Sequence, residues 1–132
     1  RPRATTRIPT GAATADTVSS EIGELSKSRP RLITTFEEVD VGTDGAVSLL
    51  GTISGLVASA LIALLAVFLN ESDILFFNLF FLVTVAGFLG TTVDSLLGAT
   101  LERKGVVGND MVNLISIGVS FALSLVIYSV LV

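Results

Sequence analysis

Three long apolar stretches, with one charge among them, dominate the last two-thirds of the chain, separated by short polar ones. Ala46 to Leu69 is an apolar run of 24 residues. At 1.5 Å rise per residue it reaches about 36 Å, enough to cross a hydrocarbon core of about 30 Å. Asn70-Glu71-Ser72-Asp73 is a tight polar link. Ile74 to Leu101 is the second run, interrupted only by Asp94 near its end. Glu102 to Asp110 is a loop carrying Arg103 and Lys104, and Met111 to Val132 is the third run. The first 45 residues are polar. Within them, Ala12 to Ile22 predicts a short helix, and Arg29-Pro30 breaks it because proline disfavours helix in the residue before it. Arg31 to Phe36 contains β-branched residues and predicts extended backbone. Gly42-Thr43-Asp44-Gly45 predicts a turn. The expected fold is all-α: a polytopic transmembrane helix bundle with three spans, over about 46–69, 74–101 and 111–132, preceded by a cytoplasmic or interfacial segment over 1–45.

Composition supports lipid as the solvent. Of 132 residues, 51% are hydrophobic and 15% charged, with mean hydropathy +0.82. A soluble domain averages about 25% charged residues, and one this small keeps too much surface exposed to hide so much apolar area. There is no Cys, His or Trp. That excludes a disulfide framework, a cysteine or histidine zinc site and a thiol nucleophile. It also removes the commonest general base near neutral pH. Any chemistry falls to carboxylates, hydroxyls, backbone groups, Lys or Arg. The chain starts at Arg1 without Met, and its first segment has no charged-then-apolar leader pattern. The N-terminus is expected to be cut from a longer protein, with a processed start as the alternative.

The cations set an orientation. All eight lie in 1–45 or in the 102–110 loop, and the 70–73 link has none. If each run crosses once, those two regions share a side, and the positive-inside rule makes it cytoplasmic. The expected localisation is multi-pass in the cell membrane, with 1–45 and 102–110 cytoplasmic.

Each run carries small or polar residues at helical spacing: Ser48, Gly51, Thr52, Gly55 and Ser59; then Gly87, Gly90, Thr91, Asp94, Ser95 and Gly98; then Asn113, Ser116, Ser120 and Ser124. At 100° per residue each set falls on one face. Helix packing through small residues accounts for the Gly and Ser positions. Asp94 stands apart, since a carboxylate inside a span is costly and functional by default. It marks either a hydrogen bond to a neighbouring helix or a metal or phosphate site.

Ten of the twelve acids belong to the cation-bearing side. Asp16 and Glu21 sit in Asp16-Thr17-Val18-Ser19-Ser20-Glu21-Ile22-Gly23, about 140° apart on a straight helix. They would share an ion only with ligands from a second element. Hard oxygen donors of this kind suit Mg²⁺; a solvated, capped helix is the plainer reading. Ala13-Thr14-Ala15-Asp16-Thr17 also resembles Thr91-Thr92-Val93-Asp94-Ser95, a faint internal repeat. Gly42 to Gly45, placed just before a helix, suits a phosphate cradle or an N-cap turn using Thr43 or Asp44. It lacks the Lys-Ser/Thr of a P-loop. Asn109-Asp110 suits another cap.

Ala15-Asp16-Thr17-Val18-Ser19-Ser20-Glu21-Ile22-Gly23, Pro30-Arg31-Leu32-Ile33-Thr34-Thr35, Val41-Gly42-Thr43-Asp44-Gly45-Ala46-Val47-Ser48, Gly87-Phe88-Leu89-Gly90 and Asp94-Ser95-Leu96-Leu97-Gly98-Ala99-Thr100 follow in order. Together they resemble an integral membrane family filed as domain of unknown function 92, over residues 12 to about 120. The family includes animal transmembrane protein nineteen and the plant phytyl-phosphate kinase. Its members are longer, with spans ahead of the Asp-Thr-x-x-Ser-Glu motif, where this chain has the polar Arg1 to Thr10. Ala46 replaces the last glycine of the family's loop. The resemblance implies phosphorylation of a prenyl monophosphate to its diphosphate by a nucleoside triphosphate, an activity known for the plant branch. The implied partners are that lipid, the nucleotide, the bilayer and N-terminal helices missing from this chain; no nucleic acid is expected. On this reading Asp16, Glu21 and Asp94 are the candidate catalytic residues and Mg²⁺ ligands. Arg31, Thr43, Gly45, Ser95 and Asn113 are the candidate phosphate-binding residues. A transporter using Asp94 as its ion site and a non-catalytic membrane protein are the alternatives.

Overall fold

A computed structural model of the chain describes residues 7–69 and 76–131. The expected 70–73 link, residues 74–75, residues 1–6 and Val132 lie outside the described residues. Four helices account for most of the rest: α1 (Arg7–Glu24), α2 (Leu49–Phe68), α3 (Phe76–Leu97) and α4 (Asn109–Leu131). A π turn, Gly98–Glu102, continues α3. Among the described residues, three stretches are long and apolar enough to cross a membrane: Leu49–Phe68, Phe76–Glu102 and Asn109–Val130. The fold is the expected transmembrane helix bundle.

The helices alternate in direction. Gly23 of α1 meets the start of α2, while Ser19 lies beside Gly55 one turn further in. Asp94 near the end of α3 meets Ser116 near the start of α4, and Ala86 meets Ser120. Thus α1 and α3 run one way and α2 and α4 the other. The end of α1, the start of α2, the end of α3 and the start of α4 all collect at one end of the bundle.

α1 belongs to the bundle itself. Ala12 is 4% exposed and Ala15 fully buried. A Cβ on Gly90 of α3 would stand 2.9 Å from the Ala12 methyl and 3.2 Å from Ser120. Part of the 1–45 segment, expected beside the membrane, is therefore a fourth packed helix. Its contact face is Ala12, Ala15, Ser19 and Gly23, too small and mixed to register as a hydrophobic run. Against α2 the backbones nearly touch: a Cβ on Gly51 would lie 2.7 Å from the Ser19 carbonyl oxygen, and one on Gly55 would lie 3.0 Å from Ser19 Cβ. Lipid gives two helices no hydrophobic reason to associate, so close van der Waals contact between small residues supplies the attraction.

Ser48 joins the two helices electrostatically. Its hydroxyl donates to the Gly23 carbonyl at 3.2 Å and accepts from the Gly51 N–H at 3.1 Å. It thereby gives the Gly23 carbonyl, which also accepts from the Ser26 N–H at 3.1 Å, a second donor and satisfies an orphan donor at the start of α2. Ser48 is thus the cap of α2, not Thr43 or Asp44. The apolar run begins earlier than its helix because Ala46–Val47 forms a short strand, β2, antiparallel to β1 (Arg31–Leu32). This strand also separates Gly42 to Gly45 from the helix that they were expected to precede. Of the extended stretch expected over Arg31 to Phe36, only Arg31–Leu32 is strand. Beyond it the chain turns back, with Phe36 N–H on the Leu32 carbonyl and Phe36 at φ 59°. Asn109 and Asp110 are the first helical residues of α4, placing Asp110 in its first turn, where a negative charge suits the helix dipole.

At the other end of the bundle, Ala63 and Ala66 of α2 pack on Leu79, Leu82, Val83 and Ala86 of α3. α4 closes on α3 through Val112, Ser116, Ser120 and Ser124, all buried. The opposite faces expose Leu56, Val57, Leu61, Leu65, Leu114, Phe121 and Leu125 and meet lipid.

Two outcomes follow from this arrangement. Because the chain lacks cysteine, single cysteines replacing Gly105 and Val130 should react with an impermeant thiol reagent from opposite sides of sealed vesicles. Labelling of both from one side would contradict three crossings. Gly55→Leu should lose about 1–3 kcal/mol by overpacking against Ser19, whereas Leu56→Ala, on the lipid face, should stay within about 0.5 kcal/mol. Thermal unfolding in detergent measures both, and equal losses would contradict the assigned interface.

Candidate functional site

The converging helix ends enclose a cavity of about 420 Å³. α1 contributes Asp16 and Ser20, α2 contributes Ser48 and Thr52, α3 contributes Asp94 and Ser95, and α4 contributes Asn109 and Asn113. The loop over 41–47 forms a further wall with Thr43, Asp44 and Gly45. This loop is seated by backbone contact. Gly45 has φ +73°, and a Cβ on it would run into the backbone and methyl of Ala99 in the π turn. A Cβ on Gly98 would in turn stand 2.8 Å from the Gly45 nitrogen. Gly45 is required here both for its left-handed backbone and for the missing side chain. The π turn ends α3 with the Arg103 N–H bonded to the Gly98 carbonyl at 3.1 Å. π turns recur at functional sites because the extra residue re-aims the backbone. Here it brings Glu102 onto the cavity wall beside Asp44.

Asp16 and Asp94 come together from α1 and α3 and interact electrostatically. The two stretches whose sequences resemble each other, around Asp16 and Asp94, thus lie side by side on parallel helices. They share a backbone habit: Thr17 Oγ1 donates to the Ala13 carbonyl at 3.0 Å, and Ser95 Oγ donates to the Thr91 carbonyl at 3.1 Å. Asp94 accepts from Ser116 Oγ on Oδ2 at 2.9 Å, so it does bond a neighbouring helix while still lining the cavity. Burial, and after it the Asp94 carboxylate, push Asp16 from its ordinary 3.8 up to about 7.

The other expected residues divide. Thr43, Gly45, Ser95 and Asn113 all line the cavity, with Thr43 Oγ1 donating to the Asp40 carbonyl at 2.7 Å. Glu21 lines it from an exposed position. Among the described residues, no three acidic side chains are close enough to hold a metal ion by themselves, so Glu21 does not complete a protein-only site with Asp16 and Asp94. Arg31 lies elsewhere: it pairs with Glu38 at 3.4 Å on the surface of the β1 turn and is absent from the cavity wall. No described Lys or Arg is on that wall, which carries Asp16, Glu21, Glu24, Asp44, Asp94 and Glu102. The cations expected on the same side of the membrane as these acids do not, among the described residues, reach this wall. Asp44, Glu102 and Ser116 were not among the expected site residues. Glu102 had a legible signal, lying eight residues, or about two turns, beyond Asp94.

Comparison with known proteins fits this picture. The family of integral membrane protein DUF92 matches residues 7–121. The chain belongs to that family. It is 46% identical, over 91% of its length and 49% of the relative's, to an uncharacterized membrane protein, MJ0933, of Methanocaldococcus jannaschii. It is 39% identical to Protein VTE6, chloroplastic, of Arabidopsis thaliana over 78% of this chain and 31% of that one. It is likewise 39% identical to Protein PGR of the same plant, over 68% and 34%. The chain therefore spans about half or less of these relatives. No solved structure matches it.

The raised Asp16 has a consequence for stability. An unfolded chain ionises Asp16 near 3.8 while the folded one holds its proton up to about 7. Asp16 therefore works against the folded state progressively as pH rises through that window, and by a constant amount above it. Thermal stability should fall from pH 5 to pH 7, and Asp16→Asn should flatten that response. A wild-type stability indifferent to pH over this range would contradict this.

Proposed function

We propose that this protein phosphorylates a prenyl monophosphate, of the phytyl type, to its diphosphate with a nucleoside triphosphate and Mg²⁺. One observation carries the reading: an acid-walled cavity without a described cation, at the end of three membrane spans, where a lipid's phosphate lies while its tail stays in the bilayer. Two polyanionic substrates enter such a cavity only with bound cations. The likeness to a family whose plant branch contains phytyl-phosphate kinase supports the substrate class.

The residues fit a hard divalent ion in one respect. Asp16 and Asp94 offer carboxylate oxygens from two helices and repel each other when no cation is present, and Mg²⁺ typically takes one or two carboxylates with substrate phosphates completing its shell. When bound, Mg²⁺ neutralises charge developing on the transferred phosphoryl group. The chain's own residues then do the positioning. Asp16 and Asp94 fix the ion relative to the helices. The N-terminal ends of α2, at Ser48 to Thr52, and of α4, at Asn109 to Asn113, turn their positive dipole ends toward the cavity, where phosphate oxygens would lie. Thr43, Ser95 and Asn113 add side-chain donors. Gly45 admits the loop to the π turn and so holds Thr43 in place. In the reaction, an oxygen of the prenyl phosphate bonds to the γ-phosphorus and the bond from that phosphorus to the bridging oxygen breaks. The nucleoside diphosphate leaves. Phosphate monoesters lose their second proton near pH 6, so the acceptor is already ionised at neutral pH and needs no general base. A chain without histidine is adequate for this chemistry.

The test uses the full-length protein in lipid nanodiscs with Mg²⁺, a panel of prenyl monophosphates and several nucleoside triphosphates, read by mass spectrometry. Diphosphate should form. Asp94→Asn should lower kcat/KM by at least about 100-fold, or about 2.7 kcal/mol of transition-state stabilisation, while folding is retained. No diphosphate from any pairing, or full activity in Asp94→Asn, would overturn the proposal. Proton-driven uptake into vesicles that is abolished by Asp94→Asn would assign the chain to transport instead.

A further inference from the structure

The two facing aspartates are not held alike. Asp94 Oδ2 accepts a hydrogen bond from Ser116 Oγ at 2.9 Å, whereas no described residue donates to Asp16. Ser116 is 5% exposed and sits on α4, opposite the helix that carries Asp94. The same hydroxyl also lies 3.0 Å from the Asn113 carbonyl oxygen, and with one proton it donates to one acceptor at a time. Asn113 and Asp94 both line the cavity. We propose that Ser116 is a positioning residue for metal binding: by occupying Oδ2 it fixes the Asp94 rotamer and leaves Oδ1 for a divalent cation in the cavity. This inference rests on the phosphotransferase reading of the same site.

The physical case has three parts. A carboxylate on a helix rotates about two side-chain bonds, and a ligand free to rotate loses that freedom on coordination, which weakens binding. A hydrogen bond to one oxygen removes that loss in advance and sets the direction of the other. Outer-shell partners of metal ligands act in this way, and their loss typically lowers affinity by about 10–100-fold. The donor is also buried, Ser116 being 5% exposed, so water competes little for its hydroxyl. Asp16, without such a donor, is the ligand that adjusts to the ion, and Asp94 is the one that the ion finds in place.

The rival reading is that Ser116 only joins α3 to α4. The molecule supplies its own control, since Ser120, one turn further along α4, donates to the Ala86 carbonyl of α3 at 2.6 Å and touches no carboxylate. Both serines glue the same helix pair, but only Ser116 addresses the site. The experiment measures Mn²⁺ binding by electron paramagnetic resonance and thermal unfolding on the full-length protein in nanodiscs, for wild type, Ser116→Ala, Ser120→Ala and Asp94→Asn. Ser116→Ala should weaken Mn²⁺ binding about tenfold and Ser120→Ala should leave it unchanged, while both lower the unfolding temperature. Should the alanine variant fail to fold, Ser116→Cys, close in size and a weak donor, should weaken binding in the same direction. Wild-type affinity in Ser116→Ala or Ser116→Cys, with binding lost in Asp94→Asn, would overturn the positioning role and leave the metal reading standing. Absence of Mn²⁺ binding in the wild type would overturn both.

Discussion

The close approach of α1 to α2 and α3 is the constraint on which the rest of this molecule depends. A bilayer offers no hydrophobic force to bring helices together, so the fold needs surfaces flat enough for backbones to touch. Gly51 and Gly55 provide one, Ala15, Ser19 and Gly23 the facing one, and Ala12 against Gly90 continues it onto α3. That contact sets the level of α1 along its neighbours. Asp16 lies one turn beyond Ala12, and Asp94 one turn beyond Gly90. Packing Ala12 against Gly90 therefore brings the two carboxylates to the same height. The small residues act as the gauge that sets the site.

Placing these carboxylates together works against the folded state unless something offsets their charge. Burial and mutual repulsion both favour the protonated form of Asp16, and the wall around it adds Glu21, Glu24, Asp44 and Glu102 with no described cation. Natural proteins retain such unfavourable arrangements where function requires them. A half-buried acid held by the protein acquires a donor, as Asp94 has on Oδ2 from Ser116. Asp16 has acquired none among the described residues, which is the condition expected of a group whose partner arrives from solution.

Much of this was legible in the sequence, and the parts that were not share a cause. The three spans follow from hydropathy, and their inner faces from the spacing of Gly, Ser and Thr; Gly51, Gly55, Gly90, Ser116, Ser120 and Ser124 are all buried. Asp94 was identifiable as the one charge inside a run. α1 escaped as a bundle member because hydropathy detects surfaces that face lipid, and α1 buries alanines while pointing Asp16, Ser20 and Glu24 into the cavity. Pairing between strands of two residues has no periodicity to detect, so the delayed start of α2 at Leu49 was invisible. Arg31 was grouped with the site by its charge and its place in a motif of the resemblance, and its actual partner, Glu38, is set by a turn that sequence patterning did not resolve. The π turn left no mark either; its evidence is the contact between Gly45 and Ala99, two positions distant in sequence.

The cavity itself has a regularity that links these observations. α1 with α2 and α3 with α4 are two helical hairpins, each descending from a cavity aspartate to a connector and returning through a helix that starts at the cavity. Matched positions line it: Asp16 with Asp94, Thr17 with Ser95, and Glu24 with Glu102, eight residues beyond each aspartate. On the returning helices, Ser48 and Thr52 correspond to Asn109 and Asn113, again four residues apart. Parallel repeats of this sort place membrane binding sites at the junction of the halves. The likeness between the two Asp motifs, too short to establish anything as a string of letters, gains weight from this geometry, because the matched positions line one cavity at the same spacing. A junction between like halves also suits a reaction between two like groups. On the proposed reaction, a phosphate on a lipid and a phosphate on a nucleotide present the same oxygens, and each half would offer an aspartate toward the cation and a helix N-terminus toward the anion. The halves differ where Ser116 fixes Asp94, while the corresponding place beside Asp16 is filled by the backbone contact of Gly55 with Ser19. On the proposed transfer between two unequal substrates, that difference would make one side of the site rigid and the other adjustable.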